Sequence, residues 1–102
     1  MVALLEHHRE QIAELCRRYC VARLDVFGSA ASGLFDPSQS DFDFLVQFQP
    51  DCSVGPFRQY VDFLVDLQKL LGRPVDLIEE SAMENRFFIE SVNRSRELLY
   101  AA

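Results

Sequence analysis

A strictly alternating stretch at residues 41–48 constrains the fold of this chain more than any other feature of its sequence. Successive side chains of a β-strand point to opposite faces of the sheet. The two faces of this strand would therefore differ, with Asp41, Asp43, Leu45 and Gln47 on one and Phe42, Phe44, Val46 and Phe48 on the other. Because the second face is wholly apolar, we expect a sheet with a hydrophobic core against that face.

Three other segments repeat apolar side chains at the spacing of an α-helix. Two of them are residues 3–20 and residues 56–71, and Gly72 suits the position just past the end of the second. The third helix is predicted to begin at Ser81, because Ser81 and Glu84 have the spacing of a capping box. This helix would turn four apolar side chains toward the core, namely Met83, Phe87, Phe88 and Val92.

Short apolar segments predict the remaining strands. Residues 23–27 and 75–79 read as strands, residues 29–34 as a brief helical turn, and residues 98–100 as a last strand or a helix end. The resulting order, α-β-α-β-α-β-α, predicts an α/β fold in which helices cover a sheet. A chain of 102 residues is enough for one core, so we expect a single domain over residues 1–102.

Charge and hydropathy exclude several classes of protein. The chain carries 16 acidic and 10 basic side chains, a formal net charge of -6, which argues against a sequence-independent grip on nucleic acid. One bound nucleotide, with its charge offset by metal ions, remains compatible. The apolar run at the N-terminus is too short for a signal peptide, and no segment has the apolar length of a membrane span. A soluble cytoplasmic protein without a membrane partner is expected.

The chain has three cysteines, an odd number. Cys16 and Cys20 are four residues apart, so a helix would place them on adjacent turns, while Cys52 lies in a predicted loop. We expect buried reduced thiols. A redox pair or a metal-binding pair is the alternative.

Asp41 and Asp43 are the first candidates for chemistry. Their side chains would share one face of the strand, about 7 Å apart. Two carboxylates at that distance repel each other unless a cation lies between them, and Mg²⁺ prefers oxygen ligands of this kind. The alternative is a pair of solvated acids at the start of a strand.

Asp76 is the third acidic candidate, because it interrupts the apolar segment 75–79. An ionised carboxylate in a buried strand is costly unless it is paired or bound to metal. It would bind a second metal ion or accept a proton from an attacking hydroxyl. The alternatives are an acid on the open face of a half-exposed strand and an acid paired with an arginine.

Gly28 and Ser29 follow a predicted strand directly. Glycine lets the backbone approach a phosphate closely, and backbone N–H groups at a helix start favour an anion. The Ser29 hydroxyl would donate to a phosphate oxygen. A Gly-Ser turn after a strand is common, so the turn has meaning only together with the acids.

These motifs together resemble the polymerase-β-like nucleotidyltransferase superfamily. The resemblance rests on three segments with their spacing, Gly28-Ser29, Ser40-Asp41-Phe42-Asp43 and Val75-Asp76-Leu77. The size of the chain and its first helix resemble the minimal nucleotidyltransferase (MNT) branch. The resemblance implies a small mixed sheet with helices packed against it. It also implies transfer of a nucleoside monophosphate from a nucleoside triphosphate to a hydroxyl, with two Mg²⁺ ions as cofactors.

The resemblance also assigns roles to residues. Asp41 and Asp43 would bind metal, Asp76 would be the third metal-binding and catalytic carboxylate, and Gly28 and Ser29 would contact the triphosphate. One departure is that Ser32 stands where the family commonly has an arginine, which puts the level of activity in question.

Minimal members of this family often act as antitoxins of helical HEPN partners. In characterised pairs, the MNT protein adds AMP to a tyrosine of the HEPN toxin, a ribonuclease. The resemblance therefore implies ATP as a substrate and a HEPN-type protein as a partner, with a homo-oligomer also compatible. Because the last core element lies near residue 102, we expect the acceptor site to come from another chain or a shallow surface. The alternatives are a non-catalytic toxin-binding protein and a nucleotide-binding module, and the three acids favour the enzyme.

Overall fold

The centre of the computed structural model, which describes residues 1–32 and 41–102, is a four-stranded mixed sheet. Its strands are β1 (Val21–Phe27), β2 (Phe42–Phe48), β3 (Val75–Glu79) and β4 (Glu97–Ala101), in the spatial order β3-β2-β1-β4. β1 is antiparallel to both β2 and β4, whereas β2 and β3 are parallel. The small mixed sheet expected from the resemblance is confirmed, and residues 98–100 belong to a last strand rather than a helix end.

Within residues 1–32 and 41–102, five α-helices and one 3₁₀ turn precede or connect these strands. They are α1 (Ala3–His7), α2 (Arg9–Arg18), α3 (Ser29–Ser32), α4 (Pro56–Leu71), the 3₁₀ turn Glu80–Ala82 and α5 (Arg86–Ser95). The predicted bounds of α4 are confirmed, and Gly72 ends it with a φ of 66° and an N–H donated to Gln68 O at 2.8 Å. None of the helices within the described ranges is long and apolar enough to cross a membrane.

The two faces of the sheet differ as the alternation in β2 predicts. Phe42, Phe44 and Val46 are almost fully buried in one core with side chains from the helices α1, α2 and α4. We call this the helix-covered face. The opposite face, which we call the acidic face, carries Asp43. It is only partly covered: α5 packs Val92 there against two strand residues, Phe27 and Leu45.

The first predicted helix is divided into two. α1 ends at His7 and α2 begins at Arg9, and His8 between them has a non-helical ψ of 14°. The His8 Nδ1 atom lies 2.9 Å from Leu4 O, so the imidazole ring hydrogen-bonds to a backbone carbonyl of α1. The apolar spacing continues across this break, and for that reason periodicity alone did not reveal it.

The predicted start of the last helix at Ser81 is wrong. Ser81 lies in the 3₁₀ turn, and Asn85 caps α5 instead by accepting hydrogen bonds from the Phe87 and Phe88 N–H groups, each at 3.0 Å. The predicted core face of this helix is only partly buried: Phe87 is 75% exposed and Phe88 39% exposed, whereas Val92 is buried as predicted.

The cysteine prediction is correct for Cys16 and wrong for the other two. Cys16 is a free thiol whose pKa is raised by burial to about 12. Cys20 lies past the end of α2, in a left-handed turn with φ 56°, and forms a disulfide with Cys52. Helical spacing from Cys16 does not apply there. The loop after β2 reaches Cys20 instead, where Gln49 N–H donates to Cys20 O at 2.7 Å.

We predict that loss of this disulfide lowers the free energy of unfolding. A bond across a sequence separation of 32 residues restricts the unfolded chain, which corresponds to about 4 kcal/mol. Urea unfolding with and without dithiothreitol measures this difference. The double variant Cys20→Ser/Cys52→Ser is the control and should not respond to the reductant. Equal stability of the oxidised and reduced wild type would contradict the prediction.

Candidate active site

The pairing of β2 with both of its neighbours brings the predicted site residues to one end of the sheet. Asp43 is the register partner of Asp76 on β3 and of Phe27 on β1. Neighbouring strands lie about 4.8 Å apart, so the two carboxylates start from adjacent backbones on the acidic face. Asp41 immediately precedes β2, and Gly28 immediately follows β1. The acids and the glycine turn, far apart in sequence, are therefore neighbours.

The negative charges of Asp41 and Asp76 act on the Asp43 carboxylate. Its pKa is raised above the usual value, first by burial and then by the negative charges of Asp76 and Asp41. Asp43 is half-buried, while Asp41 and Asp76 are exposed. A cation between these carboxylates would relieve the repulsion that raises the pKa of Asp43. The electrostatics of this end of the sheet thus favour a bound cation.

The expectation that Asp76 is buried is wrong. β3 is an edge strand whose buried residues, Val75 and Leu77, point to the helix-covered face, so Asp76 points outward on the acidic face. The cost of a buried charge does not explain this residue, and the alternative of an acid on an open face describes its exposure. Its relation to the site rests on its register with Asp43 instead.

The three aspartates fit a divalent metal by the chemistry of their oxygen donors, although they do not form a closed cage. Within residues 1–32 and 41–102, no three His, Cys, Asp or Glu side chains are already grouped as metal ligands. Mg²⁺ commonly keeps several waters and takes only one or two carboxylates, together with phosphate oxygens. Partial coordination by neighbouring carboxylates on an open face is the arrangement that such an ion uses.

Gly28 approaches a carboxylate closely. It has a φ of 70°, and a Cβ atom at this position would lie 2.7 Å from Asp43 Oδ2. Its N–H donates to Ser95 Oγ at 3.1 Å, and its carbonyl accepts from Ala31 N–H at 3.2 Å. The sequence predicted a glycine for close approach of phosphate, and the structure adds a second requirement, room for Asp43.

Ser29 is the first residue of α3 and is half-buried next to this turn. Ser40, which opens the second segment of the sequence pattern, lies outside the described residues. The structure thus places the predicted residues Gly28, Ser29 and Asp43 in one neighbourhood.

Tyr60 of α4 forms a hydrogen bond to the backbone of β3 next to Asp76. The sequence did not predict this contact, because Tyr60 has the spacing of a core residue of the helix. The Tyr60 hydroxyl donates to Leu77 O at 2.5 Å, one residue after Asp76. Burial raises the Tyr60 pKa, and the charges of Asp76 and Glu79 raise it further. The core stripe of α4 was the only sequence signal for this residue.

A buried ion pair on the same face of the sheet as Asp43 was also missed. Asp25 of β1 has no exposed surface. Its carboxylate accepts hydrogen bonds from Arg96 Nε at 2.5 Å and from Arg23 Nε at 3.1 Å. Arg96 also contacts Glu80 Oε1 at 2.6 Å. A single arginine after a helix gives no sequence signal for such an ion pair. The ion pair between Arg96 and Asp25 connects the end of α5 to β1.

This fold, with a cluster of aspartates next to a Gly-Ser turn, defines a nucleotidyltransferase-type domain. The model of the nucleotidyltransferase domain family matches residues 8–99, and the chain belongs to that family. It is accordingly a nucleotidyltransferase.

Three known proteins give the range of similarity. A protein of Methanocaldococcus jannaschii named "putative protein adenylyltransferase" is 29% identical over 97 residues, which cover 95% of this chain and 90% of the relative. A solved structure described as a "putative minimal nucleotidyltransferase" is 31% identical, with a TM-score of 0.75 over 91% of this chain and 90% of the other. A chain from the complex of the tri-AMPylated Shewanella oneidensis HEPN toxin with an MNT antitoxin is 16% identical. Its TM-score is 0.65, over 96% of this chain and 73% of that one, which establishes a shared fold.

We predict that Gly28→Ala destabilises the protein more than Gly72→Ala. Both glycines have nearly the same φ, 70° and 66°. The three atoms nearest to a Cβ added at Gly28 all belong to Asp43, whereas among the described residues no such atom lies within 4 Å at Gly72. The backbone cost of about 1–2 kcal/mol should be common to both variants. Gly28→Ala should cost about 1 kcal/mol more, because the Asp43 carboxylate must leave its rotamer. Chemical denaturation measures both.

The double variant Gly28→Ala/Asp43→Ala tests the cause of that extra cost. Without the carboxylate, the Gly28 change should cost no more than the Gly72 change. An extra cost that persists in the double variant would contradict the assigned contact.

We predict that Asp43→Asn stabilises the metal-free protein at pH 8. The pKa of Asp43 is higher in the folded than in the unfolded state, so its stabilising contribution is present below the unfolded pKa and is lost as pH rises through the folded pKa. The advantage of the variant should therefore shrink as pH falls toward about 4. Urea unfolding with EDTA measures it at both pH values. Asp51→Asn, in an exposed loop, removes the same charge and should show no such pH-dependent gain.

Proposed function

We propose that this chain transfers AMP from ATP to a tyrosine hydroxyl of a HEPN-type toxin, with Mg²⁺ as cofactor, and so acts as the antitoxin of the pair. The observation that carries the proposal is the register of Asp43 with Asp76 directly beside the Gly28 turn. This arrangement offers oxygen ligands for a cation and a tight backbone turn for phosphate at one end of the sheet.

The residues would divide the chemistry as follows. Asp41 and Asp43 would hold Mg²⁺, with Asp76 either holding a second ion or accepting the proton of the acceptor hydroxyl. Gly28 and Ser29 would lie against the triphosphate. Bound Mg²⁺ would offset the charge of the phosphates. The acceptor oxygen would form a bond to the α-phosphorus while the bond from that phosphorus to the bridging oxygen breaks, and pyrophosphate would leave.

The relatives support the nucleotide and the partner. The M. jannaschii relative is named for adenylyl transfer to protein, and the Shewanella complex contains an AMPylated HEPN toxin together with an MNT antitoxin. The net charge of -6 is consistent with a protein acceptor rather than direct contact with nucleic acid.

This function implies the cytoplasm, where a ribonuclease toxin meets its RNA. Disulfides are rare in that compartment, since thiol systems keep cysteines reduced. We therefore infer that the Cys20–Cys52 bond would be open in the working protein. Its contribution to stability would then be absent while the antitoxin acts.

We predict that, in the presence of Mg²⁺, this chain transfers labelled AMP from ATP to a tyrosine of a HEPN-type protein supplied as the acceptor. Asp41→Asn and Asp43→Asn should each slow the transfer by roughly 10²-fold or more, because a lost metal ligand removes several kcal/mol of stabilisation from the transition state. Asp76→Asn should fold normally and abolish transfer. Mass spectrometry locates the label, and circular dichroism checks folding. Asp51→Asn is the matched control and should retain the full rate.

Three outcomes separate the alternatives. Complex formation without label, with both proteins folded, would overturn the enzymatic proposal in favour of neutralisation by binding. A substantial residual rate in Asp76→Asn would remove Asp76 from the mechanism. A Mg²⁺-induced rise in melting temperature, seen for the wild type but not for Asp43→Asn, would support the metal assignment independently of transfer.

A further inference from the structure

Ser95, the last residue of α5, contacts the Gly28 turn across 67 positions of sequence. Its Oγ atom accepts the Gly28 N–H at 3.1 Å. That N–H belongs to the residue whose Cα faces the Asp43 carboxylate. A single hydroxyl therefore holds the backbone at the point where the glycine turn meets the acids.

The Gly28 turn is held from more than one side. A φ of 70° commits the backbone to the left-handed region, and Ala31 N–H donates to Gly28 O at 3.2 Å. The peptide plane before Gly28 is oriented by the hydrogen bond to Ser95. Loss of this bond would remove one constraint on that plane, in addition to the pairing of Phe27 with Asp43, and would loosen the turn next to Ser29 and the Asp43 contact.

Ser95 is itself held in place by its neighbours in α5. Val92, one turn earlier, is buried against Phe27 and Leu45. Arg96, the next residue, donates to the fully buried Asp25 on the same strand that ends at the turn. An apolar contact and an ion pair thus fix both sides of the hydroxyl relative to β1.

We propose that Ser95 is a positioning residue for the nucleotide triphosphate. By accepting the Gly28 N–H, its hydroxyl holds the turn in the orientation that brings Gly28 against the Asp43 carboxylate, next to Ser29. A phosphate then does not take the Gly28 N–H while that bond exists, so the turn recognises phosphate through its other groups. This proposal rests on the proposed function, because it assumes that the site binds a nucleoside triphosphate.

A purely structural role for Ser95 makes a different prediction, and Tyr19 supplies the comparison. The Tyr19 hydroxyl donates to Asp66 at 2.5 Å on the helix-covered side, so Tyr19→Phe also deletes one side-chain hydrogen bond. If Ser95 only stabilised the fold, Ser95→Ala and Tyr19→Phe would have the same effect on nucleotide binding.

The test measures two quantities in the full chain. One is the Kd for a Mg²⁺-bound ATP analogue with a methylene group between the α- and β-phosphorus atoms, and the other is the hydrogen-exchange rate of the Gly28 amide by NMR. Ser95→Ala should weaken binding and speed exchange, each by about five-fold, the effect of one typical hydrogen bond. Ser95→Thr keeps an acceptor hydroxyl and should restore both within about two-fold. Tyr19→Phe should change neither.

The outcomes are distinguishable from one another. An unchanged Gly28 exchange rate in Ser95→Ala would overturn the assigned hydrogen bond. Faster exchange with unchanged Kd would reduce Ser95 to a structural role and overturn the positioning proposal. Failure of the wild type to bind the analogue would overturn the proposed function, while the exchange measurement would still report on the hydrogen bond.

Discussion

The pairing of β2 with a strand on each side is the interaction on which the rest of this structure depends. Its alternate residues, Phe42, Phe44 and Val46, are buried against helices on one face of the sheet. This burial determines that the intervening residues of β2 point to the opposite face. Asp43 is consequently fixed on the opposite face. A slip of one residue in register would place an aspartate in the core and phenylalanines in solvent, so the hydrophobic core also specifies the position of the site.

The same register concentrates negative charge at one end of the sheet, at a cost to the folded state. Asp43 has Asp76 across the parallel pair and Asp41 at the start of its own strand. Their repulsion destabilises the metal-free protein, and a bound cation would convert it into an attraction. Stability and function therefore oppose each other at this site, as is usual where pKa values are perturbed.

The elements around the site compensate by holding the backbone in place. α5 packs Val92 onto β1 and ties its own end to the strand through Arg96 and Asp25, while Tyr60 fixes the carbonyl of Leu77 on β3. These contacts involve backbone and buried charge rather than the reacting groups. They hold the backbone of this open, weakly covered face in place, as the proposed nucleotide site would require.

Sequence alone determined the features that depend on local periodicity and on residue type. It established the alternation of β2 and the bounds of α4 with its Gly72 end, because these follow from backbone geometry within a few residues. The association of the glycine turn with the aspartates came instead from the resemblance of the three segments and their spacing to a known family. Only the tertiary structure decided the break at His8, the start of α5 at Asn85, the exposure of Asp76, the Cys20–Cys52 bond and the contact of Ser95 with Gly28. Most of these depend on which distant segments meet across the sheet, and that information is absent from any local pattern.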